Sequence, residues 1–404
     1  MVRGRWTTGG GSKERVRSMR VTLSRRGRWA VPVIAVAVIG GVIAGTQIPS
    51  AQASPVLPVR TPGQLLAEIN QDQKVPPLTG TVVETTSLGL PQLPQAANPT
   101  SLSSLLTGSH TIKVYYLNAQ HFRLSVQQPM SETDVIRSAN TLWLWESTGN
   151  SVTEFTAPAA SQKHAQKKLP AGPVLTPQQA ANEILAAVGK TTLVSVQDNV
   201  SVADEPAYQL VLKPKDHRSL IGRVVIAVDA KYGMPLRVQV FAKGDGGPAF
   251  QVGYTQLSMN TAPAAANLNF TPPPGASVDK VNMAHEAGSP TQKQKQDMAG
   301  FGTYGSDWLT VVSLPQQDLL SSLGTGAAGS NAPAAPSAGP GGLGGDSQKI
   351  IGALLGAAKP VSGSWGSGTL LQTSLVSMLM TGGKVYIGAV QPSVLYAAVG
   401  HTSG

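Results

Sequence analysis

The sequence predicts an α+β chain, mainly antiparallel β, built on one large, highly curved sheet with two helices over one face. Three observations carry this. His121-Phe122-Arg123-Leu124-Ser125-Val126 alternates apolar and polar residues, as do Ile112, Val114 and Tyr116 just upstream. Alternation at period two marks a strand with one buried side. Thr141-Leu142-Trp143-Leu144-Trp145-Glu146 is apolar on both sides, so that strand needs cover twice, from a core or helix on one face and from something else on the other. Connections as short as Asp229-Ala230-Lys231-Tyr232-Gly233 favour antiparallel neighbours.

Each element follows from local signals. Thr61-Pro62-Gly63-Gln64 opens a short helix: threonine caps, proline takes the first helical position, and glutamine closes a capping box. Thr176-Pro177-Gln178-Gln179 repeats the device, with Ala180, Ala181, Ile184, Leu185 and Val188 on one stripe and Gly189 as the stop. Strands are expected at Gly80–Leu88, Thr111–Leu117, His121–Gln127, Ser131–Ser138, Thr141–Ser147, Ser151–Ala157, Thr191–Ser201, Ala207–Lys213, Arg223–Ala230, Leu236–Lys243 and Ala249–Met259. Most have one apolar face, such as Val224, Ile226 and Val228, or Leu236, Val238 and Val240. Gly89 to Gly108 and Ala157 to Pro173 are long loops, a class often mobile or functional.

Residues 54–281 hold the large sheet, and a polar linker follows over 282–300. Residues 301–404 form a small α+β module interrupted by a Gly/Ala/Pro-rich tether at 324–346. In it a strand (Trp308–Leu314), a helix (Gln348–Ala358), strands at Thr369–Met380 and Lys384–Val390 and a helix (Pro392–Val399) are expected.

The formal charge of +10 is concentrated at the N-terminus. Nine basic residues and one acid, Glu14, precede Trp29; the remainder holds 22 basic and 20 acidic residues. No basic stripe for nucleic acid is indicated. The basic segment, the apolar run from Trp29 to Ile48 and the small-x-small Ala51-Gln52-Ala53 read as an export signal over residues 1–53. The apolar run is long enough to remain as an uncut anchor. There is no cysteine, which excludes disulfides, thiolate metal sites and a lipobox.

Catalytic motifs are missing. Gly324-Thr325-Gly326-Ala327-Ala328-Gly329 and Gly339-Pro340-Gly341-Gly342-Leu343-Gly344 match a dinucleotide fingerprint, but neither joins a strand to a helix, and low complexity explains both. Gly189-Lys190-Thr191 resembles the end of a phosphate loop, yet Ile184 stands where glycine is needed and the segment runs from helix to strand. The six histidines are scattered without ligand spacing, and there is no G-x-S-x-G elbow. Glu132 and Asp134 share a strand face and are expected to be solvated. His121 is expected at a hairpin corner. The chain is read as non-enzymatic, with no cofactor and no metal. Trp143 and Trp145 have two readings, core packing under a helix or the wall of a lipid cavity.

His121-Phe122-Arg123-Leu124, Pro129, Asn140-Thr141-Leu142-Trp143-Leu144-Trp145 and Asn150-Ser151-Val152-Thr153 resemble, in order, the central meander of the periplasmic lipoprotein carrier family LolA. Leu268-Asn269-Phe270-Thr271-Pro272-Pro273-Pro274-Gly275-Ala276-Ser277-Val278-Asp279 resembles that family's closing strand and proline-glycine turn. Val228-Asp229-Ala230-Lys231 with Pro235-Leu236-Arg237 is similar to the N-terminal domain of the sigma-factor regulator RseB. The likeness covers about Thr61 to Val281. It implies an unclosed half β-barrel lidded by helices, whose apolar concavity receives acyl chains. Leu117-Asn118-Ala119-Gln120 replaces the family's lid-latching arginine, and the module after Gly300 lies outside the carrier pattern. A chain without a lipobox is expected to be of actinobacterial type.

The resulting expectation is an exported, extracytoplasmic carrier, secreted or tethered to the outer face of the cell membrane. Its lipid-binding candidates are Trp143, Trp145, Leu142, Leu144, Ile184, Leu185 and Val188. Expected partners are an acylated lipid or lipoprotein, a membrane surface and a membrane protein bound through residues 301–404, with no nucleic acid. The alternatives are an RseB-like envelope sensor that binds an anti-sigma factor and a cell-wall structural protein.

Overall fold

The computed structural model describes residues 55–70, 75–89, 109–128, 130–156, 176–186, 189–244, 246–282, 300–319 and 356–400. The expected export signal and tether, and nearly all of the two expected long loops, the expected linker and the expected Gln348–Ala358 helix, lie outside them.

One sheet holds twelve strands. They are β1 (Leu78–Thr86), β2 (Ser109–Asn118), β3 (His121–Gln128), β4 (Ser131–Ser138), β5 (Thr141–Glu146), β6 (Ser151–Thr156), β7 (Thr192–Val202), β8 (Glu205–Pro214), β9 (Ile221–Asp229), β10 (Pro235–Ala242), β11 (Phe250–Met259) and β12 (Ser277–Asn282). Their order is β12-β6-β5-β4-β3-β2-β1-β11-β10-β9-β8-β7. The two end strands do not pair, so the sheet is an open half-barrel. All neighbours are antiparallel except β12, which runs parallel to β6. In this sheet β12 is the strand absent from the eleven expected. The expected closing strand from Leu268 is instead a short helix, α3 (Ala265–Leu268), then an extended proline-rich run before β12.

Two longer helices, α1 (Pro62–Asn70) and α2 (Pro177–Ala186), cover one face. Both begin as their sequences require. The Gln64 amide N–H donates to the Thr61 hydroxyl at 3.3 Å, and the Thr61 N–H donates to the Gln64 side-chain oxygen at 2.7 Å. Thr176 and Gln179 repeat the reciprocal pair at 3.2 and 2.9 Å. Beneath them the period-two stripes converge into one core. Leu65 and Ile69 of α1 and Ala180, Ala181, Ile184 and Leu185 of α2 pack with Val82, Ile112, Val114, Leu210, Ile226, Val238 and Val252. Each large aliphatic side chain buried this way contributes about 1.5–3 kcal/mol.

A second sheet has the order β13-β14-β18-β17-β16-β15. Its strands are β13 (Gly302–Tyr304), β14 (Val311–Pro315), β15 (Lys359–Gly363), β16 (Gly366–Gln372), β17 (Ser377–Thr381) and β18 (Lys384–Gly388), followed by α4 (Pro392–Gly400). The expected single strand over Thr369–Met380 is two strands. Thr373 makes the break: its hydroxyl accepts the Val376 N–H at 2.9 Å, and its own N–H reaches the Val376 carbonyl at 2.8 Å.

The central strands of the small sheet are buried on both faces. Val311, Leu379 and Tyr386 meet Leu395, Ala398 and Val399 of α4. Val385 and Ile387, on the other face, belong to the same core as the large sheet. Trp308 donates its indole N–H to the Thr192 hydroxyl at 2.7 Å. Backbone bonds from Ser374 to Leu88, Leu220 to Ala389 and Gln391 to Arg218 continue this junction at 3.0, 2.9 and 2.7 Å.

Candidate lipid-facing hollow

Strand register sorts the expected site residues onto two faces. Leu144 lies opposite Val135 and Thr153, and Leu142 opposite Arg137 and Phe155. Val135 in turn pairs with Leu124, and Leu124 with Val114 of the helix-covered core. Cross-strand partners share a face, so Leu142 and Leu144 look into the concavity. Val135, Leu142, Leu144 and Phe155 are half-buried, and none of them belongs to the packed core or its margin. Tyr116 and Leu124 are partly buried where the strip meets that core.

Trp143 and Trp145 lie on the opposite face. They pair with Ile136 and Asp134, and both rings meet Phe270, at 5.9 and 6.5 Å between centroids. The run after α3 therefore covers this side, where Ile136, Val152 and Leu268 are also buried. Ile184 and Leu185 are 8% exposed and fill the core between α2 and the sheet. Val188 lies outside the described residues. The six expected residues that the structure describes thus divide into Leu142 and Leu144 on the concave surface, Ile184 and Leu185 in filled core, and the two tryptophans behind the sheet.

Sequence reading missed Val135, Phe155 and Phe270. The first two follow once Leu144 and Leu142 are assigned partners across two short hairpins. Phe270 could not be found that way, because it reaches the tryptophans from a segment outside their hairpins.

The polar groups divide in the same way. At one end of the open strip, burial raises the Glu146 carboxyl while a hydrogen bond from Ser151 pulls it down. Burial also raises the Tyr116 phenol. Behind the sheet, Asp134 is fully buried, contrary to the solvated pair expected with Glu132. Arg123 ion-pairs with Asp134 and lies 3.7 Å from Glu132, and the Ser125 hydroxyl donates to Glu132. Burial nonetheless dominates and pushes the Asp134 carboxyl up to about 6. His121 sits at the β2–β3 corner with Nδ1 3.2 Å from the Asn118 side-chain oxygen. Among the described residues no group of three His, Asp or Glu side chains could hold a metal ion. No described helix is long and apolar enough to cross a membrane.

No family model matches this chain, and no curated protein matches it. Similar solved structures include the complex of MucA and MucB from Pseudomonas aeruginosa, at 13% identity over 84% of this chain and 95% of that one, with a TM-score of 0.38. A LolA superfamily protein from Nitrosomonas europaea is 12% identical over 52% of this chain and 99% of its own, with a TM-score of 0.20. A conserved protein from Thermus thermophilus is 12% identical over 54% of this chain and 98% of its own, with a TM-score of 0.30. These are likenesses at low identity and low TM-score, and function rests on the hollow itself.

Proposed function

We propose that this protein is an exported, extracytoplasmic carrier that holds acyl chains of a lipid or lipoprotein in the hollow over β3–β6, without catalysing a reaction. The observation that carries the reading is the strip of Val135, Leu142, Leu144 and Phe155, half-buried on a concave apolar face and outside the core that α1 and α2 cover. Water against such a strip is displaced favourably by hydrocarbon. A chain of about fourteen carbons offers roughly 10 kcal/mol at about 0.8 kcal/mol per buried methylene, before ordering costs. The filled half under α2 gives the hollow a fixed wall. Lipid extraction and native mass spectrometry of the mature protein test this: co-purifying acyl lipid is expected, and an empty protein indifferent to added lipid refutes it.

A second reading, an envelope sensor that binds a membrane protein, is favoured by the small sheet's edge. Strand β15 is mostly exposed, and Pro360, Val361, Ser362, Ser367, Gly368 and Thr369 line an open groove of about 410 Å³ beside it. Pull-down with the full chain, with and without a substituted β15, separates the two: a membrane-protein partner lost on substitution supports the sensor.

A further inference from the structure

One rim of the large sheet gathers exposed lysines. At this rim β8 and β10 end and β7 and β9 begin, and there Lys190, Lys213, Lys215, Arg218 and Lys243 are exposed. Backbone contacts gather them. The Lys215 N–H donates to the Thr191 carbonyl at 2.9 Å and the Lys243 N–H to the Leu220 carbonyl at 3.1 Å. The Lys215 ammonium donates to the Lys190 carbonyl at 2.7 Å, and the Lys243 ammonium to the carbonyl of His217. Neutral oxygens hold these lysines, and among the described residues Lys190, Lys213, Lys215 and Lys243 make no ion pair.

Among the described residues two acids lie beside these lysines, and Glu132 and Glu146 lie further along the rim, where β4 begins and β5 ends. Asp216 is taken by Arg218, through Nε at 3.1 Å and Nη2 at 2.7 Å, and Asp307 accepts the Thr191 hydroxyl at 3.1 Å. The opposite rim mixes Asp204, Glu205 and the buried Asp229 with Lys231, Arg60 and Arg137. There Glu205 is raised by burial and by the charges of Asp229 and Asp204. The basic rim also includes the β3–β4 connection, where Met130 stands 95% exposed.

We propose that the basic rim docks the protein on an anionic lipid bilayer. Lysines without carboxylate partners keep their full attraction for lipid phosphates. An apolar side chain such as Met130 at the same rim suits an interface of headgroups over hydrocarbon. The docking face gives the proposed carrier a route to its cargo, but it stands on charge alone and is measured apart from acyl-chain uptake.

The test is co-sedimentation of the mature full chain with phosphatidylcholine vesicles and with mixed phosphatidylcholine–phosphatidylglycerol vesicles. Binding is expected only to the mixed vesicles and is lost at about 1 M salt, where the Debye length is about 3 Å. Combined Lys190→Gln, Lys213→Gln, Lys215→Gln and Lys243→Gln is expected to lower partitioning at least about tenfold, while the four Lys→Arg changes together preserve it. Asp204→Asn with Glu205→Gln is expected to leave it undiminished. Equal binding to neutral vesicles, undiminished binding of the Gln variant, or stronger binding to a DNA duplex than to the anionic vesicles overturns the proposal. Acyl-chain uptake from detergent solution by the Gln variant keeps a failure here distinct from a failure of the carrier reading.

Discussion

Replacing Leu144 with aspartate tests the hollow most directly. Leu144 is half-buried beside Val135 and Thr153 on the concave face, so Leu144→Asp introduces a carboxylate that water still reaches in the empty protein. The fold is expected to tolerate it. A bound acyl chain covers the same carboxylate with hydrocarbon. The group then either protonates or loses its hydration, and a shift of about two pKa units corresponds to about 3 kcal/mol. That is a loss of about a hundredfold in affinity at neutral pH. Trp143→Ala is the companion. Its ring packs on Phe270 behind the sheet, so it is expected to lower stability by about 2–3 kcal/mol and leave uptake by the folded protein intact. Fluorescent fatty-acid titration with parallel urea melts reads both quantities. Unchanged affinity in Leu144→Asp with abolished uptake in Trp143→Ala would put the lipid on the other face and refute the reasoning.

Three further outcomes concern the fold. Asp134, raised to about 6 by burial, contributes stability that is fully present below its unfolded pKa of about 3.9 and lost as pH rises through 6. Urea midpoints are expected to fall over that window and to flatten in Asp134→Asn; a midpoint that rises with pH would contradict this. Gly80→Ala would place a methyl 2.9 Å from the Tyr254 ring and the Gln256 carbonyl, at a cost of about 1–3 kcal/mol, read as a lowered Tm. Trp308→Phe removes the indole bond to Thr192, costs about 1–2 kcal/mol, and is expected to speed hydrogen exchange at Val385 and Ile387.

The sheet was legible because its strands obey simple periods. Val224, Ile226 and Val228, and Leu236, Val238 and Val240, are at most 1% exposed, as alternation requires. The helix starts were legible because a capping box is local chemistry. What could not be read was which way β5 faces. A strand apolar on both sides contains no internal clue, and only its pairing with β4 assigns Trp143 and Leu144 to opposite sides. The cover over the tryptophans depends on Phe270, more than a hundred residues downstream. Asp134 looked solvated because a strand carboxylate usually is; here it is buried and ion-paired with Arg123 of the neighbouring strand. Strand β15 was hidden because its residues include two glycines or prolines and no continuous alternation.

The double burial of β18 governs how the C-terminal part of the chain can be handled. Cut free at Gly300, the fragment would present Val385 and Ile387 to solvent along one flank, a sticky surface that invites self-association. Expressed alone, it is expected to precipitate or to capture unrelated proteins, and apparent partners of such a fragment would report the cut instead of the biology.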